Sequence, residues 1–216
     1  MMNILIRPYV ERDRSTVRRI ANATSDRGEQ NQPIFSNADL LADVLTRYYT
    51  DFEPQSLWVA ECSGSVVGYL SGCMDPGRYK MIVFFRMVPA AIFHTISSGA
   101  LWHRETWRLV GALMRTLSQG DYARDVSEEE YPAHLHINIL GDFRGQQIGK
   151  KLMERFLLQA QIAGVHGVHA GVRENNVSAI RFFEHMGFLE VGTQAFFLPS
   201  SDGYRVRKTV IYGKRL

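Results

Sequence analysis

The stretch from His134 to Phe156, HLHINILGDFRGQQIGKKLMERF, admits few folds. Leu135, Ile137 and Ile139 alternate with His134, His136 and Asn138, the period of a strand with one apolar and one polar face. The alternation breaks at Gly141-Asp142-Phe143. Beyond Arg144-Gly145-Gln146-Gln147-Ile148-Gly149, the residues Ile148, Leu152, Phe156 and Leu157 recur at helical spacing, and Gly164 supplies a stop. The predicted order is strand, glycine-containing loop, helix. A helix start leaves backbone N–H groups unpaired and carries a partial positive charge, and a phosphate group satisfies both. Lys150, Lys151 and Arg155 lie in the first turns, where cations oppose the helix dipole, and an anion docked on that end accounts for them. An ordinary strand-to-helix turn is the other reading of the loop taken alone.

The chain of 216 residues suits one domain, 1–216, with a full core and an insertion. Hydrophobic residues at 45% and charged ones at 22% give the balance of a soluble globular protein. A net charge of +3, with scattered cations and no RNA-binding signature, gives no reason to expect a nucleic-acid partner. MMNILIRPYVERDR lacks a long apolar core, so no secretory leader is expected. Cys62 and Cys73 suit a reduced, cytoplasmic protein better than a disulfide scaffold. No metal-ligand cluster is evident, so no metal is expected.

Before the central stretch, Ile4–Tyr9 is a predicted strand, and Val17, Ile20 and Ala21 mark a helix after it. DRGEQNQPIF reads as a polar loop. Ser36-Asn37 is a candidate N-cap for a helix through Leu40, Leu41, Val44 and Leu45 to Tyr48 or Tyr49. Residues 56–61 and 66–73 form a predicted hairpin around Cys62-Ser63-Gly64-Ser65. Residues 78–130 are a helical insertion and charged linker. Its apolar stretch MIVFF, interrupted by Arg86, Pro89 and His94, is too short and polar for a membrane span, so no membrane partner is expected. The insertion is open to three readings: an extension of the core, a lid over an acceptor, or the surface of a homodimer. After the central helix come a strand at 165–172, a helix from Asn176 to Met186 ended by Gly187, and two closing strands joined by PSSDG.

Arg144, two residues, Gln147, one residue and Gly149 resemble the acetyl-CoA-binding signature of the GNAT superfamily of N-acetyltransferases, an Arg or Gln, two residues, Gly, one residue, then Gly or Ala. Gln147 stands where that pattern has its first glycine. With an ordinary negative φ, its side chain would turn away and leave its amide to the pyrophosphate. The resemblance implies an α+β fold, a mixed central sheet flanked by helices, with the insertion before the central strand. It also implies acetyl-CoA as acyl donor and an amine acceptor. Pyrophosphate contacts fall on Arg144, Gly145, Gln146, Gln147, Ile148, Gly149 and Lys150, and pantetheine contacts on backbone groups of Asn138, Ile139 and Leu140. Asn176 matches a family asparagine that contacts the pantetheine or pyrophosphate. Phe183 occupies the place of a tyrosine that lies beside the thioester sulfur as general acid. Residues 24–75 and 131–140 resemble, more narrowly, the acetyltransferase-like domain attached to some O-GlcNAc hydrolases and its free-standing bacterial relatives.

Acetyl transfer to an amine needs a neutral amine, a stabilised oxyanion and a proton for the leaving thiolate. His134, His136 and Asn138 share a face, and an imidazole near its ordinary pKa accepts a proton readily, so His136 is the first candidate base. A histidine without chemistry is the alternative. Asp75, at the end of the hairpin strand, is the second candidate. Phe183 has no proton to give, so Tyr212 or Tyr204 would supply it, or solvent would. Asp26, Glu29 and the loop to Phe35 can meet a cationic amine or be a solvated connection. An N-acetyltransferase acting on a small-molecule, amino-sugar or peptide amine is the expected function; an inactive CoA- or partner-binding module is the alternative.

Overall fold

The computed structural model describes residues 4–24, 38–97, 99, 102–118, 126–200 and 203–216. In chain order the elements are β1 (Ile4–Pro8), α1 (Arg14–Thr24), α2 (Ala38–Asp51), β2 (Leu57–Cys62), β3 (Ser65–Cys73), α3 (Pro76–Ile82), α4 (Val88–Ser97) and α5 (Arg104–Ser118). They continue as β4 (Ala133–Ile139), α6 (Ile148–Ile162), β5 (Gly167–Arg173), α7 (Val177–His185), β6 (Leu189–Ser200) and β7 (Gly203–Arg215). The loop from Asp26 to Phe35 and the cap at Ser36-Asn37 lie outside the described residues. The chain forms two compact units. One holds Met1–Asp75, Pro132–Val168 and Arg215–Leu216, and the other Pro76–Tyr131 and His169–Lys214.

In the first unit β1, β2, β3 and β4 are antiparallel neighbours in that order. The β2–β3 hairpin turns on Ser63 and Gly64, both with positive φ (49° and 80°), the handedness that matches strand twist. Alternation along β3 and β4 then sorts side chains to two faces. Gly72 faces α6, where an added Cβ would meet Phe156. The opposite face meets α1 and α2, through Thr24 to Asn138 and Tyr49 to His134. Ile20, Leu57, Val59, Leu70, Leu135, Leu152, Met153 and Phe156 are buried in this two-sided core.

In the second unit β7 lies between β5 and β6. β6 and β7 pair antiparallel from Leu189↔Gly213 to Ser200↔Gly203, so the strands run further into PSSDG than the sequence suggests. Pro199 is tolerated there because β6 is the edge strand, where a missing N–H breaks no ladder. α5 packs on β6. Ala112 and Thr116 are buried, the Phe197 N–H donates to Thr116 Oγ1 (3.0 Å), and the Arg115 guanidinium lies over the Phe197 and Tyr204 rings.

The insertion is helical as expected, but its apolar part is longer than MIVFF suggests. α3, a π-helical turn at Val83–Met87 and α4 form one run of 22 residues from Pro76 to Ser97. By length and composition this run could cross a membrane, contrary to the sequence reading. Pro89 does not end the helix. It lacks an N–H and would collide with the carbonyl four residues back, and the wider π turn just before it accommodates both.

Candidate functional site

The polypeptide leaves β4 at Ile139, makes one short helical turn at Gly141–Phe143, and enters α6 at Ile148. Gly145 and Gln147 both have positive φ, 76° and 59°. Gln147 therefore does not take the ordinary negative φ that would turn its side chain away. It keeps a left-handed, glycine-like conformation without being glycine, because the chain must reverse within one residue to start α6. No side chain caps α6 and no acidic residue occupies its first turn. The amides of Ile148, Gly149 and Lys150 are the orphan donors of that turn. Lys150 and Lys151 are exposed beside them, and Arg144 is exposed with its Nε donating to the Ile139 carbonyl (3.1 Å). The Gln146 side chain donates to the Asp142 carbonyl (3.3 Å), which braces the loop. Uncapped amides with adjoining cations and no carboxylate in the first turn suit a pyrophosphate, and Glu154, one turn on, lies 3.8 Å from Lys150.

The conformation at 147 carries a prediction. A left-handed non-glycine costs roughly 1–2 kcal/mol, so Gln147→Gly is expected to raise thermal stability by about that amount while keeping or improving acetyl-CoA affinity. Thermal melts with calorimetric titration measure both. A destabilised variant with weaker binding would show that the glutamine side chain is itself a contact.

β4 presents its backbone unevenly. The Leu140 N–H donates to the Val67 carbonyl (3.0 Å) and its carbonyl accepts from Phe143 N–H (3.0 Å). Leu140 is thus committed internally and does not offer the exposed amide expected of it, because the pairing with β3 continues one residue past the strand. Backbone groups of successive strand residues point to opposite edges, so those of Ile139 point away from β3. Ile139, rather than Leu140, is the residue of this strand end with an amide directed away from the ladder.

The polar face of β4 is organised by helices. Asn138 Nδ2 donates to the Tyr69 hydroxyl (2.9 Å), and its Oδ1 accepts from Thr24 (2.9 Å), so its side chain ties α1 to the sheet. The Tyr49 hydroxyl lies 2.9 Å from His134 Nε2, and the Tyr49 ring meets His136 edge-on at 5.8 Å. His136 is exposed, steadied between Tyr49 and the His134 ring. Asp75 is also exposed, two residues past the end of β3 and four beyond Ser71, the partner of His136 in the ladder. Tyr49, Thr24 and Tyr69 were not singled out from the sequence, where nothing in their spacing connects them to β4.

The remaining predicted residues lie in the second unit. Asn176 caps α7, its Oδ1 accepting from the Ala179 N–H (3.1 Å). Phe183 is buried, edge-on to Phe182 and Phe188 and stacked on Tyr212 at 6.2 Å with ring planes 27° apart. The structure thus stacks Phe183 on a residue, Tyr212, that has a phenol hydroxyl. Burial, with the charges of Glu184 and Glu190, pushes the Tyr212 pKa up, so its phenol keeps its proton through the neutral range. Tyr204 lies instead against α5, under Arg115. Among the described residues no group of three or more His, Cys, Asp and Glu side chains could hold a metal ion.

Residues 26–188 match the Acetyltransferase (GNAT) family, well over half of the chain, so the protein belongs to that family. It is a GNAT-type acetyltransferase, an α+β fold in which acetyl-CoA serves as acyl donor. The fold is shared with the structure described as SsHAT, at 24% identity and a TM-score of 0.71, covering 99% of this chain and 98% of that one. YncA, a putative acetyltransferase from Salmonella typhimurium solved with its cofactor acetyl-CoA, is similar at 16% identity and a TM-score of 0.57, covering 99% and 94%. A ribosomal-protein-alanine N-acetyltransferase from Brucella melitensis is similar at 19% identity and a TM-score of 0.56, covering 98% and 99%.

Proposed function

We infer that this protein transfers the acetyl group of acetyl-CoA to a primary amine of a small molecule, amino sugar or peptide. The observation that carries the reading is the start of α6: uncapped, cationic, and reached from β4 through two left-handed residues. Arg144 to Lys150 hold the pyrophosphate, and Ile139 offers its amide to the pantetheine or thioester carbonyl. His136 takes the proton from the attacking amine, with Asp75 as a weaker candidate. Tyr212 returns a proton to the departing thiolate, so charge stays balanced as the C–N bond forms and the C–S bond breaks. Asn176, the N-cap of α7, matches the family asparagine that contacts the donor. Two buried, unlinked thiols, Cys62 and Cys73, favour a cytoplasmic setting.

The test is thiol release from acetyl-CoA across a panel of amines, with Tyr212→Phe and Phe183→Tyr alongside the wild type. Turnover is expected with at least one amine. Tyr212→Phe should lower kcat by about 10²-fold or more where thiolate protonation limits the rate, and adding Phe183→Tyr to that variant should recover part of the loss. A protein that binds acetyl-CoA yet releases no thiol with any amine would instead be a binding module.

A further inference from the structure

The run from Pro76 to Ser97 turns an apolar surface to solvent: none of its most apolar stretch of 18 residues is buried. Met81, Phe84, Phe85, Ile92, Phe93 and Ile96 are all exposed, Phe93 to 73%. Past Gly99, Trp102 is 91% exposed, and α5 adds Trp107, Leu113 and Met114 while Ala112 and Thr116 are buried. A helix apolar on nearly every side belongs in a core or in lipid, and soluble proteins rarely leave so large a patch open.

Charge selects the occupant. Residues 76–118 hold six arginine or lysine side chains and one acid, Glu105, a net +5 in a chain whose total is +3, which leaves −2 for everything else. Arg86, Arg104 and Arg108 are exposed among the aromatic residues. A second copy docking this face on itself would set +5 against +5. An anionic bilayer accommodates both features, since the acyl boundary takes Phe and Ile, the headgroups take the cations, and indole rings favour the border between them. We propose that residues 76–118 dock this protein on an anionic lipid surface, lying in the plane of the interface. At 22 residues the Pro76–Ser97 run would reach across a bilayer, about 33 Å at the helical rise. Arg86 stands at its midpoint, however, and a spanning orientation would bury that guanidinium at the membrane centre. Lying flat lets Arg86 reach the headgroups and leaves the Lys80–Glu128 ion pair (2.5 Å) in water.

The test uses the intact protein with vesicles of phosphatidylcholine alone or with about one-third phosphatidylserine. Cosedimentation is expected on the anionic vesicles, about tenfold or more above the neutral ones, with a blue shift of tryptophan fluorescence and release at high salt. Phe84→Asp with Phe93→Asp should reduce partitioning about tenfold while leaving acetyl-CoA binding unchanged. Arg104→Glu with Arg108→Glu should remove the preference for phosphatidylserine. Absence of binding to either vesicle, or equal binding to both, overturns the proposal. A dimer in sedimentation that Phe84→Asp with Phe93→Asp dissolves, without vesicle binding, would make the surface an interface between copies.

Discussion

Turnover of His136→Ala is expected to fall about 10²- to 10⁴-fold, the range for loss of a positioned general base. Acetyl-CoA affinity should stay within about twofold, because the cofactor contact proposed on β4 is the backbone amide of Ile139 rather than a side chain, and the pyrophosphate loop lies beyond the strand. The expectation rests on placement. Of the two β4 histidines, His134 has its Nε2 engaged by the Tyr49 hydroxyl and is half-buried, whereas His136 meets the Tyr49 ring edge-on and is exposed. A base needs access to the incoming amine and a fixed ring, and His136 has both. The loss should appear in kcat with little change in KM for acetyl-CoA, since the proton is removed only as the amine attacks. His134→Ala should be milder and act by loosening Tyr49. A His136→Ala enzyme that retains at least a third of wild-type turnover would end the assignment and leave solvent or Asp75 as the acceptor of the proton.

The largest stability effect is expected where the sheet meets α6. A Cβ on Gly72 would sit 2.0 Å from Cε2 and 2.3 Å from Cζ of Phe156, a ring with no exposed surface. An exposed side chain would swing aside, but this one is enclosed, so the helix or the strand must move. Overpacking of this kind typically costs about 1–3 kcal/mol, and Gly72→Ala should lie at the upper end, read as a fall in the denaturant midpoint. Phe156→Ala should cost about 3–5 kcal/mol through the cavity it leaves. The two residues touch, so the changes should not add: Gly72→Ala with Phe156→Leu is expected to be more stable than Gly72→Ala alone. The same contact sets the height of α6 over β3, so Gly72→Ala should also weaken acetyl-CoA binding as the helix start shifts. Additive losses in the double variant would mean that the ring relaxes freely and does not hold the helix.

Much of this fold was legible from contiguous residues. The alternation from His134 to Ile139, the spacing from Ile148 to Leu157, and Ser63-Gly64 between two apolar strands are local patterns, and each became the element it predicts. Alternation also told correctly that His134, His136 and Asn138 share a face, because a strand has only two. What that face meets could not be read. Tyr49 reaches His134 across 85 positions of sequence and Thr24 reaches Asn138 across 114, and no periodicity links residues that far apart. The stacking of Tyr212 on Phe183 is of the same kind, made by a closing strand laid against a helix within the second unit. Two backbone details were not legible from residue type: Gln147 takes a left-handed conformation, and a π turn at Val83–Met87 precedes Pro89 within one helical run. The sequence by itself determined which segments are strand or helix and which side of each is apolar, because those follow from periodicity along the chain. The tertiary structure decided which polar groups meet, which amides stay unpaired, and that residues 76–97 lie exposed, because burial depends on what the rest of the chain brings alongside.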